Sequence, residues 1–135
     1  MTTSRPQIQK FMSASPHSIG AEQSIAHAEE QLKKYGVRHL PVLTAGALVG
    51  IVTQRDLAVI ESVKGVDRKT VLVSDIMNID VYQVGPDALL SEVAAVMAEK
   101  KYGSAVVMKA DHAIGIFTTV DACRALCELL KNPAT

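Results

Sequence analysis

The sequence contains no tryptophan, and its three tyrosines and two phenylalanines make up 4% of it. With so few rings and no basic stripe between them, a surface that stacks and tracks a nucleic-acid strand is a weak reading. Excess charge of either sign is also missing: 14 basic residues balance 14 acidic ones. No overall field therefore draws the chain to a phosphate backbone or an anionic bilayer, and any anion site has to be built locally. Apolar runs fall far short of the roughly 20 residues that span a membrane. Thr2 to Ile8 is polar and holds Pro6, without the apolar centre of a signal peptide, so a cytoplasmic protein is expected. Only two cysteines occur, Cys123 and Cys127. They stand one turn apart in an expected helix, near the upper Cα limit for a disulfide, so no bridge is expected. Only His112 is at all near in sequence, so no zinc motif is present, no metal site is assigned, and the pair reads as two small buried hydrophobes.

What is present is repetition. Gly50-Ile51-Val52-Thr53-Gln54-Arg55-Asp56 returns 65 residues later as Gly115-Ile116-Phe117-Thr118-Thr119-Val120-Asp121. The same offset aligns Ile8 to Glu61 with Val73 to Leu126 without a gap, keeping Met12/Met77, Gly20/Gly85, Val42/Val107, Ala45/Ala110, Gly50/Gly115, Ile51/Ile116, Thr53/Thr118 and Asp56/Asp121. A composition of 48% hydrophobic and 21% charged residues is that of a globular protein, and each half is too small to bury a sufficient core alone. The chain therefore reads as a duplicated unit whose halves pack together.

Each unit follows the order strand, helix, strand, strand, helix. In the first, Ile25, Ala28 and Leu32 form an apolar face at helical spacing, Lys33 and Lys34 lie near the C-terminal end, and Gly36 is available as a left-handed cap. The corresponding face in the second unit is Leu90, Val93, Ala94 and Met97, with Asp87 expected to accept from first-turn amides. The segments Val37 to Leu43 with Leu48 to Val52, and Ala105 to Met108 with Ala113 to Phe117, read as hairpins. Helices follow from Thr53 and Thr118, the last stopped by Asn132-Pro133. Ser62 to Thr70 has the composition of a solvated linker, and His27, Glu29, Glu30 and Gln31 read as a solvated face.

The Thr-x-x-Asp corners admit two readings. A Thr at the N-cap and an acid at the third helical position form a capping box, which satisfies amides and implies no ligand. A carboxylate also has two oxygens that accept from a vicinal diol, and a helix start offers unpaired amides to an anion, which together suit a nucleotide. Asp in both copies, where the box favours the longer Glu or Gln, weighs toward the second. Neither a nucleophile elbow, nor a glycine-rich phosphate loop of the nucleoside-triphosphatase kind, nor a pair of acids with an evident substrate between them is present, so no catalytic residue is assigned.

Val37-Arg38-His39-Leu40-Pro41-Val42, Leu48 to Leu57, Asp75-Ile76-Met77, Val84 to Ala88, Lys101 to Val107 and Ile114 to Asp121 occur in a repeated order. With them, the chain from Ile8 to Leu130 resembles a tandem pair of CBS (cystathionine-β-synthase-type) domains, a Bateman module. The resemblance implies an α+β fold of two β-α-β-β-α units, residues 8–64 and 71–130, related by a pseudo-twofold axis, with adenosine compounds bound in clefts between them. By this resemblance Asp56 and Asp121 accept from ribose hydroxyls, while Thr53 and Thr118 meet ribose or phosphate oxygen. The adenine slot falls along the entering strands, near Ala14, Ser15 and His17 in one unit and Ile79, Val81 and Tyr82 in the other, with Pro41 beside them. For the phosphates, Arg38, His39 and Arg55 are the candidate basic residues, although a solvated arginine and a structural histidine remain open for them. The second unit has Gly103-Ser104 where the first has Arg38-His39, so one cleft is expected to hold phosphates more strongly than the other.

The resemblance thus implies a regulatory module without catalysis or cofactor that senses AMP, ADP or ATP for an unknown effector protein. NAD(H) or S-adenosylmethionine as ligand, or a purely structural dimerisation module, are the alternatives. A homodimer is implied, with Leu57, Ile60, Leu126 and Leu130 as contributors to its surface.

Overall fold

The computed structural model describes residues 5–131; the expected helix stop at Asn132-Pro133 lies outside them. From the N-terminus run a 3-10 turn (Ile8–Lys10), β1 (Ser13–Ala14), β2 (Ile19–Gly20), α1 (Ile25–Tyr35), β3 (His39–Thr44), β4 (Ala47–Thr53), α2 (Gln54–Glu61) and a short α3 (Val73–Ile76). Then come β5 (Gln83–Val84), α4 (Leu90–Lys100), β6 (Ser104–Lys109), β7 (His112–Thr118) and α5 (Thr119–Lys131). The order β-α-β-β-α occurs twice, as the repeat implies, and the fold is α+β.

Local chemistry accounts for these elements. Ser24 Oγ accepts from the His27 amide at the start of α1, and Gly36 closes it in the left-handed region at φ 62°, where glycine carries no Cβ penalty. Both hairpins turn through two residues with positive φ, Ala45 (51°) with Gly46 (81°) and Ala110 (49°) with Asp111 (65°). Such turns match the twist of the strands they join.

The molecule divides into two compact units, one of Pro16–Val81 and one of residues up to Ser15 together with those from Tyr82 on. The first holds a sheet ordered β2-β3-β4 and the second a sheet ordered β1-β7-β6-β5. These packing units cut across the sequence repeats, because the leading segment of each repeat packs onto the body of the other. Ile8 and Val73 occupy equivalent places in the two repeats, and both are fully buried. Ile8 lies in a core with Leu90, Val93, Met97 and Phe117, and Val73 in one with Ile25, Ala28, Leu32 and Leu40. Each such burial stabilises by about 1.5–3 kcal/mol.

The exchange also caps the helices. The Ile25 amide donates to Val71 O and the Leu90 amide to Pro6 O, both at 2.9 Å. This replaces the cap expected of Asp87: α4 starts at Leu90 and has no side-chain cap, because a carbonyl from the other repeat already satisfies its first amide.

Three further expectations are corrected. Cys123 and Cys127 are exposed, since the inward side of α5 carries Asp121 and Ala125 instead. Leu57 is a core residue at 3% exposure and Ile60 packs against the same core, so of the four expected surface residues only Leu126 and Leu130 are exposed. Glu29 is not simply solvated, because Arg68 and Lys33 hold its carboxylate.

Candidate functional site: the two Thr-x-x-Asp corners

At the end of β4 the chain turns directly into α2, and Thr53 sits at the junction with extended φ and ψ. Its hydroxyl accepts from the Asp56 amide at 3.1 Å, and Asp56 Oδ2 accepts from the Thr53 amide at 3.0 Å. The capping box is therefore complete. It uses one carboxylate oxygen only: Asp56 is half-buried, and its Oδ1 has no hydrogen bond among the described residues.

The second corner is built alike and filled differently. Asp121 Oδ2 accepts from the Thr118 amide at 2.9 Å and from its hydroxyl at 3.1 Å, and the Asp121 amide donates to Thr118 Oγ1 at 3.3 Å. Here Oδ1 is engaged as well, with the Ser13 hydroxyl at 3.3 Å and Arg124 Nη1 at 3.6 Å. Asp121 is 6% exposed.

A segment from the opposite repeat borders each corner. β1 pairs antiparallel with β7, Ser13 facing Ile116 and Ala14 facing Gly115. At the other corner a single bridge joins Ile51 and Asn78, with both amide-to-carbonyl distances 2.9 Å. The repeated glycine and methionine explain how these segments fit: a Cβ on Gly115 would collide with the Met12 thioether, and one on Gly50 would stand 2.7 Å from Met77 Sδ.

Ala14 and Ser15 thus accompany Asp121, and both are exposed, with Ser15 in the left-handed region at φ 51°. Ile79 follows Asn78 beside the Asp56 corner and is 78% exposed. His17 and Tyr82 stand elsewhere, at equivalent points of the two repeats. His17 stacks on Tyr35 with ring centroids 3.5 Å apart, and Tyr82 stacks on Tyr102 at 5.2 Å. Burial, with Glu92 and Tyr102 nearby, pushes the Tyr82 hydroxyl pKa up. Val81 is half-buried, and Pro41 is fully buried opposite Ile51. Ser13, whose hydroxyl reaches the Asp121 carboxylate, and Asn78, whose backbone bridges Ile51, carry no mark of their own in the sequence; their common offset from Met12 and Met77 is the signal that identifies them.

The family profile for the CBS domain matches residues 8–61 and 73–128. The chain is a tandem pair of CBS domains. An inosine-5'-monophosphate dehydrogenase of Korarchaeum cryptofilum is 33% identical over 105 residues, 77% of this chain but 21% of the dehydrogenase, so the CBS pair spans about a fifth of that relative. Among solved structures, the CBS domain pair of MJ0100, in complex with 5-methylthioadenosine and S-adenosyl-L-methionine, superposes with a TM-score of 0.83 at 24% identity, covering 93% of this chain and 98% of that one. CBSX2 in complex with AMP superposes with a TM-score of 0.79 at 25% identity, covering 93% and 98%.

In this CBS pair the candidate cations are not gathered at one point. His39 is in register with Thr53 across the β3–β4 ladder, and Arg55 is exposed on the first turn of α2. Arg38, whose carbonyl accepts from the Gln54 amide at 2.9 Å, lines a groove of about 460 Å³ between α1 and α2 together with Glu29, Lys33, Gln54 and Glu61. Arg68 ties those acids together, its Nη2 2.5 Å from Glu29 Oε2 and its Nε 3.1 Å from Glu61 Oε1. The two neighbouring carboxyls are shifted in opposite directions. The hydrogen bond with Glu29, then burial, raises the Glu61 pKa; that same bond, with Lys33 and Arg68, lowers that of Glu29. Among the described residues no helix is long and apolar enough to cross a membrane.

Proposed function

We propose that this CBS pair is a regulatory module that binds an adenine nucleotide of the AMP, ADP and ATP class, without catalytic activity of its own, and takes it first at the Asp56 corner. The observation that carries the reading is the Oδ1 of a half-buried Asp56, which has no hydrogen bond among the described residues and is an acceptor that the cap positions and that suits a ribose diol. Thr53 and Arg55 lie beside it, His39 is in register with Thr53, and Ile79 offers exposed apolar surface for a base. At the other corner Ser13 and Arg124 already occupy Asp121 Oδ1, and Ala14 stands where Ile79 does. The AMP carried by CBSX2 supports this ligand class.

Ligand binding shifts the populations of the module's states in proportion to its differential affinity for them, and an effector protein reads the result. A homodimer formed through a surface that includes Leu126 and Leu130 belongs to the same proposal. The complete capping boxes at both corners favour a second reading, a structural dimerisation module whose corners bind nothing. Thermal unfolding with AMP, ATP, NADH and S-adenosylmethionine separates the two: a ligand at a hundred times its Kd stabilises by about 2.7 kcal/mol. AMP or ATP should give the largest shift. No shift with any of the four would leave the structural reading standing.

A further inference from the structure

The fold treats its methionines unequally. Met97 lies inside a core at 5% exposure, while Met12, Met77 and Met108 are half-buried. Met77 is the one whose sulfur closes a backbone contact beside the Asp56 corner. Its Sδ and Cγ stand 2.7 and 2.9 Å from the point where a Cβ on Gly50 would lie, and the Asn78 carbonyl oxygen stands 3.0 Å from that point. The thioether thus fills the notch that Gly50 leaves in β4, with the rest of the side chain packed on the core. The segment after α3 is held on β4 by this side chain and by the Ile51–Asn78 bridge, whose two amide-to-carbonyl distances are 2.9 Å. Met12 makes the equivalent contact with Gly115, but its segment has a two-residue ladder, Ser13–Ile116 and Ala14–Gly115, and a further bond from the Ser15 amide to Ile114 O. The Met77 segment, seated by one bridge, is the easier of the two to unseat.

Half-burial leaves the sulfur within reach of a small oxidant, and its packing makes oxidation consequential. A thioether is apolar, polarisable and adaptable, whereas a sulfoxide is polar and chiral and disrupts packing of this kind. The added oxygen would enter a notch walled by the Gly50 backbone and by the Asn78 carbonyl, which already accepts from the Ile51 amide. That neighbour is itself an acceptor and repels a second one. An oxygen pressed into such a contact without a donor is costly, so the oxidised side chain has to leave the notch.

We propose that Met77 is an oxidation site through which a peroxide controls the Asp56 corner. Hydrogen peroxide transfers one oxygen to Sδ: the S–O bond forms as the O–O bond breaks, sulfur gives up two electrons, and the remainder of the peroxide leaves as water. The sulfoxide unseats Asn78 and Ile79, the segment that borders the corner, and nucleotide affinity falls; this last step rests on the nucleotide reading proposed above. Sulfoxide reductases reverse the modification.

The test uses the full chain, treated with hydrogen peroxide and then with a dithiol that returns reversibly oxidised cysteines. Peptide mapping should show Met77 oxidised before Met97. In the sulfoxide form the Ile51 amide should exchange about tenfold faster, and calorimetry should find AMP affinity about tenfold lower. Sulfoxide reductases for both epimers should restore both properties. Met77→Leu, close in volume and without a sulfur, should show the parent's exchange and affinity before and after peroxide. Three results would overturn the proposal: Met77 oxidised no faster than Met97, an Ile51 amide as well protected in the sulfoxide as in the parent, or AMP affinity lost equally by peroxide-treated Met77→Leu. A parent chain that binds no AMP would instead sink the nucleotide reading, and the Ile51 amide would still decide whether oxidation of Met77 unseats the segment.

Discussion

The sulfur of Met77 rests against the backbone of Gly50, where a Cβ would come 2.7 Å from Sδ and 3.0 Å from the carbonyl oxygen of Asn78. Gly115 meets Met12 in the same way, but there the three nearest atoms all belong to the Met12 side chain. A thioether swings aside more cheaply than a hydrogen-bonded carbonyl moves. Gly50→Ala should therefore destabilise by about 1–3 kcal/mol, more than Gly115→Ala. Met12→Ala should offset part of the Gly115 change, whereas Met77→Ala should not rescue Gly50→Ala. Urea unfolding of the singles and doubles reads the coupling directly, and equal effects at the two glycines would contradict this account.

The exchanged leading segments make a residue near the start of the chain part of a core. Ile8 is 0% exposed among Leu90, Val93 and Phe117, so Ile8→Ala should cost about 2–5 kcal/mol. A terminal segment that merely rested on the surface would lose under roughly 0.5 kcal/mol. Chemical denaturation separates these values.

Much of this architecture is legible in the residues. The helical face of Ile25, Ala28 and Leu32, the left-handed Gly36 and both hairpins follow from local spacing and turn chemistry. So does the Thr-Asp cap, since its partners are three residues apart. What local chemistry does not carry is partner choice across the repeat. Nothing in Met12 or Met77 says which of two equivalent glycines it covers, and so Ser13 and Asn78 could not be assigned to their corners. The cysteines fail for a related reason: Ala122 and Ala125 fill the inward side of α5, and a small apolar residue chosen from the other side has no local mark of exposure.

Lys101 occupies the position of Gly36 in the second repeat, with the same left-handed φ of 62°, but carries a Cβ. Lys101→Gly should stabilise the chain by about 0.5–1 kcal/mol, relieving a conformation that L side chains adopt at a cost. The thermal midpoint should rise by a few degrees. A fall would mean that the lysine side chain contributes more than its backbone costs.

The Glu29–Glu61 pair gives stability a pH dependence whose sign is fixed. Glu61 holds its proton more tightly when folded, so its contribution is full below the ordinary value of 4.5 and fades as pH climbs through the raised value. Glu29, lowered from 4.5, contributes above that value and loses its part as pH falls through the depressed one. Glu61→Gln should remove the first of these. Its stability should no longer decline just above pH 4.5, and at neutral pH it should be at least as stable as the parent. Urea midpoints collected from about pH 4 to about pH 7 would show this, and parallel profiles would count against it.

The central claim, that an adenine nucleotide binds first at the Asp56 corner, is tested most directly by calorimetric titration of AMP into the parent chain, Asp56→Asn and Asp121→Asn. Both substitutions disturb a cap worth about 1 kcal/mol, and Asp121→Asn also weakens the contacts of Oδ1 with Ser13 and Arg124, so Asp121→Asn should cost the fold more while Asp56→Asn costs binding more. The account predicts that the tighter site is lost in Asp56→Asn and kept in Asp121→Asn. Two equal sites in the parent, or a tighter site untouched by Asp56→Asn, would contradict it.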